Sequence, residues 1–211
     1  NDDMKGSYLG SEFKQDDIEK QLNSVEANYE IFEYEKLIDK TAEHLSNEKA
    51  IGWFQGKMEF GPRALGNRSI LADPRNPNMK SIINMKIKRR ESFRPFAPSV
   101  LEEHQSDWFE SNFINPYMST LATVKQDKQE LIPSVTHIDG TARLQTVNSS
   151  NNFKYAKLIN SFYSLTGVPI LLNTSFNENE PIVMKPEESL NCLVRTDMDA
   201  VFINNYLVTK I

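Results

Sequence analysis

Along the chain, apolar residues recur at helical spacing in some stretches and as short unbroken runs in others. Ile18, Leu22 and Val25 stand four and three residues apart, the spacing that lines one side of a helix. Leu37, Ile38, Ala42 and Leu45 repeat it, so residues 14 to 45 read as helical, in two helices, with Asp16 or Asp17 placed to cap the first. Ala50 to Phe54 is a continuous apolar run of strand length, followed by a loop rich in glycine and arginine. Met79, Ile82, Ile83, Met85 and Ile87 predict a helix over 77–90 whose basic C-terminal end suits the helix dipole. Arg94 to Leu101 is punctuated by Pro95 and Pro98 and should be extended. The pattern then predicts a helix over 102–109, a strand over 117–124, a turn-containing strand region over 135–147, and a helix over 155–166 stopped by Gly167. A buried strand over 168–172 feeds Asn173-Thr174-Ser175, a helix over 186–194 opens on Pro186, and a last strand covers 200–208. Helices alternating with strands indicate an α/β or α+β domain.

Composition narrows the class. The chain has 211 residues, 39% hydrophobic and 25% charged, with a mean hydropathy of −0.52, which suits a soluble globular protein. Its apolar runs are far shorter than a bilayer span. One cysteine, Cys192, cannot form an internal disulfide, and no leader pattern precedes a cleavage site, so a reducing, cytoplasmic setting is expected. The net charge of −5 disfavours a general nucleic-acid binder. Its distribution says more: residues 57–94 hold ten Lys and Arg side chains against Glu59, Asp73 and Glu91. A basic concentration inside an acidic protein points to a small polyanionic ligand.

Four segments carry candidate chemistry. Gly52 to Ser69 combines glycines, which permit close backbone approach, with Lys57, Arg63 and Arg68, and arginine forks match phosphate oxygens. No Gly-Lys-Ser/Thr ending is present, so this is not a Walker A loop. Arg94-Pro95-Phe96-Ala97-Pro98 sets a further arginine on a stiffened chain. If residues 137–143 are extended, His137, Asp139, Thr141 and Arg143 share one face. Asn173-Thr174-Ser175 follows an apolar strand, where ligand loops of α/β sheets emerge. The three histidines, His44, His104 and His137, are scattered, so a protein-built metal site is not expected. Cys192, Trp53 and Trp108 read as packing residues.

Taken in order, Gly52-Trp53-Phe54-Gln55-Gly56 through Arg63-Ala64-Leu65-Gly66-Asn67-Arg68-Ser69 to Asp73-Pro74-Arg75, Phe93 to Pro98, His137 to Gln145, Gly167 to Asn177 and Pro181-Ile182-Val183 resemble the C-terminal domain of the nodulation- and antibiotic-type O-carbamoyltransferases. The resemblance covers about residues 33 to 206. It implies a YrdC-like fold, a twisted mixed α/β sheet with a positively lined concave face, over residues 33–211. Residues 1–32 would form a linker and helical segment. It implies activation of carbamoyl phosphate by ATP and Mg²⁺ to carbamoyl adenylate, with pyrophosphate released. Transfer to a hydroxyl acceptor would belong to a preceding iron-binding domain absent from this sequence. By the same analogy Lys57, Arg63 and Arg94 would be catalytic. Gln55, Gly56, Arg68, Ser69, His137, Asp139, Arg143, Asn173, Thr174 and Ser175 would bind substrate and nucleotide. The competing reading is a non-catalytic nucleotide- or RNA-binding module of the same fold.

Overall fold

The computed structural model describes residues 4–210. Among these described residues, ten strands and six α-helices form a mixed α/β architecture, as expected. Eight strands make one sheet in the order β1 (Asn28–Ile31), β10 (Tyr206–Thr209), β9 (Ala200–Ile203), β2 (Ile51–Phe54), β3 (Arg68–Ala72), β8 (Ile170–Ser175), β4 (Ala97–Leu101) and β7 (Gln145–Val147). The β2/β9 and β4/β7 pairs are parallel and the others antiparallel. A separate pair joins β5 (Leu121–Thr123) to β6 (Thr141–Arg143).

The central strands β2, β3, β4 and β9 are buried along their whole length. That is why β2 and β9 read as continuous apolar runs and not as alternating patterns. Helix α2 (Tyr34–Ser46) packs on α5 (Phe153–Thr166), which rests on β4 and β8; α6 (Pro186–Arg195) covers β2 and β9, with α1 (Gln15–Ser24) beside it. One continuous apolar core runs from Ile18 to Val208. Among the described residues, no helix is long and apolar enough to cross a membrane.

Several expectations need correction. Residues 14–45 are not wholly helical. The chain leaves α1 at Ser24, turns through Glu26 at φ +50°, and forms β1 before α2 begins. Val25 consequently lies outside the helix and is 58% exposed. Strand β1 carries no apolar alternation and is stabilised by its antiparallel pairing with β10. Asp16 and Asp17 lie in the first turn of α1 and favour its dipole, but the N-cap is Lys14. The stretch 77–90 divides into α3 (Met79–Ile82) and a π turn at Ile83–Ile87, and the strand expected over 117–124 shortens to β5. Residues 102–109 form a 3₁₀ turn, Glu102–His104, followed by α4 (Gln105–Trp108). The last strand is a hairpin, β9 and β10, turning at Asn204 with φ +46°. Helices α5, stopped by Gly167 in the left-handed region, and α6, opening on Pro186, match expectation.

Candidate active site, an arginine-lined cavity

The glycine–arginine loop between β2 and β3 is organised by one buried carboxylate. Glu59 Oε1 accepts hydrogen bonds from the backbone N–H groups of Leu65 (2.7 Å), Asn67 (2.7 Å) and Arg68 (3.2 Å). Gly66 turns the loop at φ +106°, and a Cβ there would stand 2.1 Å from the Tyr155 ring. Clamped at its base, the loop leaves Arg63 exposed at its tip.

Arg68 turns the other way. It is fully buried, its guanidinium donating to the carbonyls of Gln55 (2.7 Å), Asn67 (3.1 Å), Ser11 (3.1 Å) and Gly56 (3.2 Å) and lying 3.6 Å from the centroid of the Phe54 ring. Burial draws its pKa down to about 10, against the opposing charges of Glu59 and Glu12. Arg68 therefore holds the loop to the N-terminal segment.

A second basic segment follows α3. The backbone N–H of Lys88 donates to the carbonyl of Ile83, five residues back, the bond of a π turn. The chain then passes through Arg90 and Arg94 into β4. Asn84 supports this stretch, its Nδ2 donating to the carbonyls of Ser92 (3.2 Å) and Arg94 (2.9 Å) and its Oδ1 accepting from Arg90 Nε (2.8 Å).

Between the two segments lies a cavity of about 260 Å³ lined by Arg63, Arg90, Arg94 and Arg143, by Asn173, Thr174 and Ser175 of β8, and by Pro62, Ala64, Pro95, Phe96, Ala97 and Met118. Among the described residues, no carboxylate lines it. Arg94 pairs with the exposed Glu91 outside the cavity (3.0 Å). Burial lowers the pKa of Arg143, with the positive charge of Arg63 adding to it; burial and then Arg94 do the same to Arg90. Each guanidinium thus carries its charge at a cost that an arriving anion would relieve. Two atoms of the lining residues, Arg143 Nε and Asn173 Oδ1, are buried with no hydrogen-bond partner.

The structure brings together Arg63, Arg94, Arg143, Asn173, Thr174 and Ser175 from four separate segments of sequence. Asn173 to Ser175 sit on the strand itself and not on a loop after it. The other sequence candidates stand outside the cavity lining. Lys57 is exposed, and its carbonyl accepts from Asn67 Nδ2 (2.7 Å). Gln55 is buried, donating to the Asn204 carbonyl (3.0 Å) and accepting from Lys154 (3.2 Å). Gly56 contributes the carbonyl that Arg68 uses, and Ser69 Oγ accepts from the Gly66 N–H (3.0 Å). His137, Asp139, Thr141 and Arg143 do not share an extended face. A turn closes at 137–140, where Asp139 Oδ1 accepts from the N–H (3.0 Å) and hydroxyl (2.7 Å) of Thr141. His137 is half-buried; desolvation lowers its pKa, Asp139 opposes this and Arg143 and Lys80 reinforce it.

Three residues escaped the sequence reading. Arg90 and Lys88 lie in the basic run ascribed to helix-dipole compensation, and Glu59 looked like a minor counter-charge. Lys88 is buried, and its Nζ donates to the carbonyl and hydroxyl of Ser175 and to Asn177 Oδ1. Only a tertiary contact identifies it, although a lysine flanked by arginines at the end of an apolar stripe was the available signal. Among the described residues, no group of three or more His, Cys, Asp or Glu side chains is placed to hold a metal ion.

Comparison with known proteins agrees with this architecture. Residues 42–210 match the family described as Carbamoyltransferase C-terminus. The nodulation protein NolNO of Sinorhizobium fredii is 46% identical over 97% of this chain, which spans 30% of that protein. NolO of Bradyrhizobium diazoefficiens is 44% identical over 97% of the chain and 38% of its own length. An uncharacterized protein of Synechocystis is also 44% identical, over 99% of the chain and 38% of its own length. The chain therefore spans about a third of the curated relatives it matches. Full-length HypF, solved in a phosphate- and nucleotide-bound form, superposes with a TM-score of 0.55 at 16% identity, covering 87% of this chain and 23% of HypF. That likeness shows a shared fold. With a family match over most of its length and relatives above 40% identity covering nearly all of it, the chain belongs to the carbamoyltransferase C-terminal family.

Proposed function

We propose that the arginine cavity binds carbamoyl phosphate and the phosphates of ATP and supports formation of carbamoyl adenylate, for transfer to a hydroxyl acceptor by another part of the protein. The observation that carries this reading is the convergence of Arg63, Arg90, Arg94 and Arg143 on a cavity that, among the described residues, has no carboxylate in its lining. Arginine forks pair in bidentate fashion with phosphoryl oxygens, and preorganised cations stabilise charge that develops on those oxygens during transfer. The phosphate- and nucleotide-bound form of HypF supports the same reading.

In the balanced scheme, carbamoyl phosphate loses its phosphoryl group to water as orthophosphate. The carbamate oxygen then attacks the α-phosphorus of ATP, and pyrophosphate leaves. The chain's part is to hold both phosphorylated substrates in line and neutralise the leaving pyrophosphate, with Arg63 and Arg94 as the first contacts and Lys57, exposed on the same loop as Arg63, adding positive charge outside the cavity. Gln55, Gly56, Arg68 and Ser69 would act beneath them as the loop's scaffold, while His137 and Asp139 border Arg143. Because the lining offers no carboxylate among the described residues, magnesium would ride on the nucleotide's phosphates.

The test is pyrophosphate release from ATP with Mg²⁺, with and without carbamoyl phosphate. Release that depends on carbamoyl phosphate is expected. Arg63→Ala should abolish binding of carbamoyl phosphate while circular dichroism shows the fold retained. Unchanged binding would remove Arg63 from the site, and tight retention of tRNA at moderate salt would favour an RNA-binding module instead.

A further inference from the structure

The loop that carries Arg63 is held on both limbs by a segment lying outside the family match, which begins at residue 42. On the rising limb the Phe60 N–H donates to the Ser7 carbonyl (2.7 Å) and the Met58 N–H to the Ser11 carbonyl (2.9 Å). The Gly10 N–H returns a bond to the Met58 carbonyl (2.9 Å). On the falling limb the Tyr8 hydroxyl donates to the Leu65 carbonyl (2.8 Å). Residues 61–64, Arg63 among them, are thus a tip between two limbs that are both tied to residues 7–11.

Leu65 is where this strap meets the cavity. Its N–H goes to Glu59, and the two lone pairs of its carbonyl receive Tyr8 and Gln145 Nε2 (2.8 Å). Two residues from Arg63 the backbone is therefore pinned through both of its polar groups. The Tyr8 ring adds packing, since it lies against a small apolar cluster of Leu65, Ala97 and Met118. Ala97 and Met118 are themselves cavity wall. Met118 stands at φ +54°, a left-handed backbone that persists only where its surroundings hold it. Burial pushes the Tyr8 pKa up, with Asn152 opposing and Glu59 and Tyr117 adding to the rise, so the hydroxyl stays a neutral donor.

We propose that Tyr8 is a positioning residue for Arg63, and that the strap of residues 7–11 sets how tightly the cavity holds a phosphate-bearing anion. Tyr8 is not part of the cavity lining and acts through Leu65. An arginine whose backbone is already held loses less freedom when it closes on a ligand, so the strap converts loop rigidity into affinity. Because one short segment ties both limbs, any displacement of residues 7–11 is felt at Arg63. The inference rests on the anion-binding reading of the cavity and deepens it by naming what governs its strength.

The experiment measures binding of inorganic pyrophosphate by calorimetry to the wild-type chain, Tyr8→Phe, Tyr8→Ala and Leu22→Ala. Leu22→Ala removes core packing in α1 and none of the strap's contacts, so it supplies a destabilised chain with the strap in place. Tyr8→Phe, which keeps the ring and loses the hydroxyl, should weaken pyrophosphate about fivefold, the scale of one net hydrogen bond. Tyr8→Ala, which also loses the packing, should weaken it further. Leu22→Ala should bind within about twofold of wild type, as expected of an independent site. Hydrogen exchange at the Leu65 amide should quicken in Tyr8→Phe while the amides of β9 keep their protection. Tyr8→Phe keeps the proposal testable if Tyr8→Ala fails to fold. Wild-type affinity in Tyr8→Phe overturns the proposal, as does an equal loss in Leu22→Ala, which is what a merely structural tyrosine would give. A wild-type chain that binds no pyrophosphate overturns the anion-binding reading itself, and the inference falls with it.

Discussion

Glu59 shows how much one side chain can organise. Its Oε1 satisfies three backbone N–H groups of the loop that carries Arg63. Glu59→Ala would strand those donors in a buried setting, where each unsatisfied group costs about 1–3 kcal/mol. A loss of at least about 3 kcal/mol in chemical denaturation is expected, together with weaker anion binding as Arg63 loses its platform. Lys88 gives a pH prediction. Burial, with the nearby Arg90 charge, draws its pKa down to about 7, against the opposing influence of Cys192 and Glu180. In the unfolded chain a lysine titrates near ~10.4. Between these values the unfolded state binds the extra proton, so stability rises with pH on this group's account. The cost of the buried charge is full below about pH 7 and is relieved progressively toward about pH 10. Lys88→Met should flatten that slope in a series of denaturation midpoints from pH 6 to 10. Arg63, Arg94 and Arg143 were legible in the sequence because permanent cations in a glycine- and proline-rich setting have few other uses. Lys88 and Arg68 were not, since whether a basic side chain points to solvent or into the protein is decided by distant acceptors such as Asn177 and the Ser11 carbonyl.

At the level of elements, the loop before β3 works because Gly66 lets backbone and helix α5 meet. With φ +106° and the Tyr155 ring where a Cβ would stand, Gly66→Ala must displace either the helix or the loop. It should lower the melting temperature and anion affinity together, whereas a change confined to the loop tip would move affinity alone. Helices α5 and α6 and strands β2 and β4 were readable because each buries a long apolar face. Strand β3 was not, because it opens with Arg68-Ser69, two polar residues buried by contacts from elsewhere. Strand β1 has almost no buried side chains and owes its existence to β10, 175 or more residues later.

Across the whole molecule, residues 4–32 belong to the folded unit. The family match begins at residue 42, yet Ile18 and Leu22 are in the core and β1 covers an edge of the sheet that would otherwise be β10. Ser11 accepts from Arg68, and Met58 is bracketed by backbone bonds to Gly10 and Ser11. Removing residues 4–32 should therefore cost at least the burial of two large aliphatic side chains, about 4 kcal/mol. It should also leave β10 open to pairing with other molecules. Light scattering and a lowered unfolding midpoint would report this, and a truncated chain as stable and monomeric as the parent would refute it. The arrangement of the sheet as a whole was not legible: its order follows from contacts between the two ends of the chain, which no local pattern encodes.

The chain's single thiol has one more consequence. Cys192 is fully buried on α6, and burial, with Glu180, pushes its pKa up to about 11 despite the nearby Lys88. At neutral pH it is neither exposed nor ionised, so a thiol reagent can reach it only when α6 lifts from the sheet. The rate of its modification is therefore a built-in clock for that opening. Because Arg89 Nη2 donates to the carbonyl of Arg195 at the end of the same helix, the clock runs beside the segment that carries Arg90 and Arg94.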